Sequence, residues 1–158
     1  AYFDSVPIFD ANHGNLGTAG GINIQTVSSA RAAMRRQQDE SGNVFIRVEP
    51  RFLVVPPELE TDAQQLVAEL TPSKSDEANP FSGALEVLTD PRLSDGTWYL
   101  AADPQRAPGL SYAYLSGQRG PQVESRAGFE VDGLEVKVRM DFGAGWQDFR
   151  PWHKTPTS

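Results

Sequence analysis

A chain without cysteine has to draw its chemistry from histidines, carboxylates and hydroxyls, and this sequence of 158 residues holds only two histidines. His13 lies in "DANHGN" and His153 in "RPWHKT". A metal site needs ligands converging at about 2.0–2.2 Å, normally from local pairs such as H-x-x-x-H. Neither histidine has such a neighbour, and Asp10 with His13 is a lone i,i+3 pair in a glycine-rich stretch. Both histidines are therefore read as structural or solvated, and no metal is expected. A Ser–His–Asp hydrolase would need a nucleophile elbow. "FSGAL" and "LSGQRG" lack the G-x-S-x-G strand-to-helix context. "GTAGG" shares only glycines with a phosphate loop, having no Lys-Ser/Thr after it. Glu130, Asp132 and Glu135 are close enough to suggest paired carboxylates or calcium ligands, but the EF-hand spacing is missing and Asp132 is accounted for as a turn residue. The residues thus imply no catalytic set and no cofactor. Two alternatives stay open: a small hydrolase using His13 or His153, or a ligand-binding module whose aromatic strands line one deep pocket with Trp98, Tyr112 and Tyr114.

The elements that would position these residues follow from periodicity. The fold class expected is α+β, a mixed or antiparallel sheet flanked by two main helices. Residues 1–25 have no period and read as an irregular lead-in or arm. "TVSSARAAMRRQQDESG" reads as a helix capped by Thr26 and stopped by Gly42, with Val27, Ala30, Ala33 and Met34 as its apolar stripe. In that helix Arg35–Asp39 and Arg36–Glu40 would be i,i+4 pairs. "VFIRVEPRFLVVPP" is strand material, and its run "FLVV" needs cover on both faces. "PELETDAQQLVAEL" follows as a second helix, acidic in its first turn, with Leu59, Ala63, Leu66, Val67 and Leu70 on one face. The polar stretch 72–83 reads as a long loop. "ALEVLTD", "GTWYLAAD" and "LSYAYLSG" are three short strands between turn signals.

The last third carries the densest pattern. Asp132-Gly133 predicts a two-residue hairpin turn. Val131 would then face Leu134, Phe129 would face Val136, Ala127 would face Val138, and Ser125 would face Met140. That makes one apolar face, assigned to the core. On the other face Glu130 would meet Glu135, Arg126 would meet Arg139 and Glu124 would meet Asp141. Like charges directly opposite destabilise a sheet, whereas the diagonals Glu130–Lys137, Glu124–Arg139 and Arg126–Asp141 are complementary, so the face is read either as twisted onto its diagonals or as a seam that a partner of opposite charge completes.

Charge narrows the partners. The net charge of −7 argues against a protein that holds nucleic acid through clustered Lys and Arg. No apolar run approaches the roughly 20 residues that span a bilayer, and the start lacks the features of a signal peptide.

The ordered blocks "FLVVPPELETDAQQLV", "NPFSGALEVLTDPRL", "GTWYLAADP" and "YLSGQRGPQVESRAGFEVDGLEVKVRMDFGAGWQDFRPWHK" resemble the C-terminal half of tailed-bacteriophage major capsid proteins. The type most similar is the one whose gene is fused to a Clp-like prohead protease. "PIFDANHGNLGTAGGINIQTVSSARAAMRRQQDESGNVFIRVEPRFLVVPP" is similar to the segment leading into that half. The resemblance implies the Hong Kong phage type capsid fold, or Johnson fold. It also implies a structural subunit, not an enzyme, that assembles in its full-length parent into the icosahedral shell of a phage or prophage. Implied with it are self-contacts, contacts with other head proteins, a place in the virion and assembly in the host cytoplasm. On that comparison 26–127 would be an axial-type domain, with the 72–83 loop near the capsomer centre, and 128–158 a long hairpin returning toward the peripheral domain. The subunit-contact candidates are Lys74, Asp76, Glu77, Glu124, Arg126, Glu130, Lys137 and Arg139. The arm, the extended loop and most of the spine helix have no counterpart in these residues.

Overall fold

A computed structural model describes residues 5–68, 83–93, 96–128 and 132–157. The chain divides into two compact units: residues 1–109 with 147–158, and residues 110–146. Residues 147–158 turn back into the first unit.

The first unit is built on a four-stranded sheet. Its strands are β1 (Pro50–Val55), β2 (Glu86–Thr89), β3 (Trp98–Ala102) and β8 (Trp152–Thr155), in the order β2-β1-β3-β8. β1 runs parallel to β2 and antiparallel to β3, and β8 is antiparallel to β3. A parallel neighbour needs a crossover. Here it contains a 3-10 turn (Pro57–Leu59) and helix α2 (Glu60–Val67). The register puts Leu53 beside Leu100 and Leu100 beside His153, and Val54 beside Tyr99, so one face carries Leu53, Val55, Trp98, Leu100, His153 and Thr155. That face meets the apolar sides of α1 (Ile24–Arg35) and α2, and Val27, Met34, Ala63 and Leu66 complete the core. Phe52 and Val54 are half-buried on the other face, where Tyr99 packs at 5.5 Å from Phe9 and 6.3 Å from Trp152. The "FLVV" run is thus deeply buried on one side and partly covered on the other.

Helix α1 is shorter than its periodicity predicts. Asn23, not Thr26, is the N-cap: its side chain accepts from the N–H groups of Gln25 and Thr26, both at 2.9 Å, while Thr26 Oγ1 accepts from Asn23 N–H. The helix ends at Arg35 because Gln37 and Gln38 leave to pair with an incoming segment. Ile46 N–H donates to Gln37, and Gln38 bridges Phe45. Gly42, at φ 70°, serves this turn and not a helix stop. Asp39 therefore caps the turn, accepting from Ser41, Asn43 and Val44. Those bonds, the Ser41 hydroxyl first, hold its carboxyl below the usual range. Arg35 pairs with Glu49 at 3.1 Å, so the expected Arg35–Asp39 pair does not form. Leu70 and residues 72–82 lie outside the described residues.

The lead-in segment is fastened to β8. Lys154 N–H donates to Asn15 and Gly17 N–H donates to Lys154, each at 2.8 Å. Gly17 is required there, since a Cβ would stand 2.9 Å from His153 Cε1 and 2.8 Å from Thr155 Oγ1.

The second unit is all β. β4 (Leu110–Tyr114) pairs with β7 (Phe142–Trp146), and β5 (Gln122–Ala127) pairs with β6 (Leu134–Arg139), both antiparallel.

Two expectations follow. Leu53→Ala removes a fully buried side chain and should cost about 2–5 kcal/mol, whereas Val136→Ala on the exposed ribbon should stay within about 0.5 kcal/mol; denaturant titration of this chain reads both. Burial lowers the His153 pKa from 6.5 to about 4. Between those values the unfolded chain binds the proton and the folded one does not, so stability is full above pH 6.5 and falls as pH drops toward 4. The slope is up to about 1.4 kcal/mol per pH unit. Melting curves at pH 7 and pH 5 should separate for the wild type and converge for His153→Gln.

Candidate functional site

The ribbon β5–β6 holds the described members of the charged candidate set. Its register is not the one the turn signal implies. Ala127 faces Leu134, Arg126 faces Glu135, Ser125 faces Val136, Glu124 faces Lys137 and Val123 faces Val138. Gly128 N–H closes the ladder on Gly133 at 2.8 Å. This is a slip of four residues from the expected pairing. An even slip keeps every side chain on its face, but it exchanges the like-charge pairs for opposite ones. Arg126 is ion-paired with Glu135, and Lys137 with Glu124 at 3.3 Å. Cross-strand charge pairing here outweighs the preference of Asp-Gly for a two-residue turn. Phe129, Glu130 and Val131, which the shorter loop would have paired, lie outside the described residues, as do Lys74, Asp76 and Glu77.

The charged face is therefore largely satisfied within the ribbon. Arg139, opposite Gln122, holds Asp141 at 3.4 Å and Gln118 at 2.9 Å. Exposed pairs of this kind contribute about 0–1 kcal/mol each; they set register more than stability.

The apolar face is the unsatisfied one. It was expected in the core, yet Val123 is 66% exposed, Leu134 69%, Val136 58% and Val138 64%. A two-stranded ribbon is marginally stable in water alone and needs a third strand or a packing partner. Val123 was overlooked in the sequence because the two-residue turn placed it beyond the ladder. Its alternation with Ser125 and Ala127 was the available signal.

The aromatic candidates divide between the two units. Trp98 is fully buried in the first unit and donates its indole N–H to Gly20 at 3.0 Å. Tyr112 and Tyr114 stand in the second unit with Phe142, at 5.8–6.2 Å between ring centres. Tyr112 and Phe142 are largely exposed.

The histidines are both buried, not solvated. His13 stacks on Phe149 at 3.9 Å, with Nδ1 3.1 Å from the Ile8 carbonyl. His153 faces the core beside Leu100, its Nδ1 3.4 Å from Thr155 Oγ1. They line different depressions: His13 one of about 600 Å³ with Gln37 and Arg150, and His153 one of about 450 Å³ with Ala30 and Ala33. The cleft that a hydrolase using both would need is not formed. Among the described residues no group of three or more His, Asp or Glu converges as a metal site. No helix among them is long and apolar enough to cross a membrane.

A depression of about 830 Å³ lies at the start of β1 and the end of β3 and is lined by Arg47, Arg51, Asp103 and Arg106 among others. Arg47 sits at φ 51°, in the left-handed region, and the sequence gives no warning of it.

Among curated protein sequences, none matches this chain at a significant level. Solved structures match it in fold. A phage-related protein of Bordetella bronchiseptica superposes with a TM-score of 0.63 at 11% identity, over 95% of this chain and 57% of its own. An encapsulin of Synechococcus elongatus superposes with a TM-score of 0.56 at 12% identity, over 91% of this chain and 53% of its own. The chain thus spans little more than half the length of these structures. At such identities they establish the fold, the mixed α+β fold of phage-related and encapsulin proteins. A family profile described as phage capsid protein matches residues 1–155, and the chain belongs to that phage capsid protein family.

Proposed function

We propose that this chain is the shell-forming part of a major capsid subunit, a structural virion protein whose principal partner is further copies of itself. The observation that carries the reading, beside family membership, is the exposed valine and leucine face of β5–β6. Contiguous apolar surface on a soluble unit marks an interaction site, and here it stands on a ribbon too thin to be stable unsupported. The first unit, with its helices packed on a four-stranded sheet, fits the axial-type body; the second fits the limb leading toward the peripheral domain. Glu124, Arg126, Lys137 and Arg139 hold the ribbon in register, and their outward sides remain contact candidates on the face opposite the valines. Contacts with other head proteins and assembly in the host cytoplasm belong to the same reading.

The test uses the full-length parent protein under assembly conditions. Electron microscopy should show capsomers or closed shells, and a strictly monomeric parent would overturn the reading. In the same assay Val136→Asp should abolish particles while shifting the stability of this chain by no more than about 0.5 kcal/mol. Arg139→Glu should lower particle yield more than it lowers the melting temperature.

A further inference from the structure

The 830 Å³ depression of the first unit carries arginines that form no ion pair of their own among the described residues. Its carboxylates are committed: Asp103 to Arg51, Glu49 to Arg35 and Asp148 to Arg150. Arg47 and Arg106 are exposed and form no ion pair among the described residues, although Arg106 lies in the field of Asp103 and helps to lower its pKa. Arg47 is held there in a left-handed backbone conformation, which non-glycine residues adopt only when surrounding structure or function requires it.

The complementary charge stands at the other end of the same strand. The depression opens at Pro50, where β1 begins, and the chain leaves β1 after Val55 into the acidic start of α2. Glu58 and Asp62 there are exposed and have no ion pair among the described residues. Six strand residues span about 20 Å, twice the Debye length of roughly 10 Å at 0.1 M salt. The two charge clusters therefore cannot neutralise each other within one copy. A second copy placed end to end brings them together.

We propose that copies of this chain associate head to tail, the acidic start of α2 in one copy seated in the Arg47–Arg106 depression of the next. This rests on the shell reading above and names one of its contacts. The contact is heterologous, joining two different surfaces, and a heterologous contact closes into a ring when its rotation permits. The occupant is anionic and helical, and the two charge clusters suit each other in sign and in placement.

The experiment is a charge exchange in the full-length parent. Arg47→Glu with Arg106→Glu, or Glu58→Lys with Asp62→Lys, should each lower particle yield about tenfold or more, and raised salt should weaken the wild type in the same direction. Combining both reversals on one chain should restore particles. Arg47→Gly serves as the folding control: glycine suits the left-handed backbone, so melting should hold or rise while assembly falls. Wild-type particles together with insensitive single reversals, or a combined variant no better than either alone, overturn this contact and leave the shell reading standing. A wild-type parent that forms no particles overturns both.

Discussion

One backbone hydrogen bond organises the chain: Gln147 N–H donates to the Gly109 carbonyl at 2.7 Å. There the chain leaves the first unit and there it returns, 38 residues later by number. Gly109 is needed at this point, since a Cβ would meet Trp152 Cδ1 at 2.8 Å and the Asp148 carbonyl at 3.1 Å. The bond delivers residues 152–155 to β3, where they close the sheet and present Lys154 to the lead-in segment. Without that return the sheet would lose an outer strand and the lead-in segment its anchor. The core would lose the surface on which α1 rests.

Much of this body was legible in the sequence because it follows local rules. The second helix was announced by Pro56-Pro57 and acids in the first turn, and the strands β2 and β3 by turn residues between apolar runs. What escaped depends on partners distant in sequence. Helix α1 ends seven residues before its predicted glycine stop because Gln37 and Gln38 bond the segment around Phe45 and Ile46, a competition that periodicity cannot register. His153 reads as polar in "RPWHKT", yet the register of β8 on β3 turns it toward Leu100 and the core.

The ribbon shows the same contrast on a smaller scale. The alternation along β5 and β6 assigned each side chain to the correct face, but not the strands' offset. A slip of four residues is invisible to hydrophobic pattern and decided by cross-strand charge. Nor does alternation say what lies against an apolar face. Leu134, Val136 and Val138 have the spacing of core residues and remain in solvent in a single copy. The same alternation that means burial in a closed core can leave a face in solvent in a single copy, where a further surface has to cover it.

The clasp at Gly109 and Gln147 has a consequence for how such a chain can change. The limb between them begins and ends at one point of the body, so altering its length leaves the core packing and sheet register of the first unit untouched. Closing a longer excursion costs little, about 0.6 kcal/mol for each doubling. Insertions, deletions and rapid sequence drift should therefore collect in residues 110–146, while the body that carries them stays nearly constant in size. A lineage built this way can refit residues 110–146 without having to reinvent its fold.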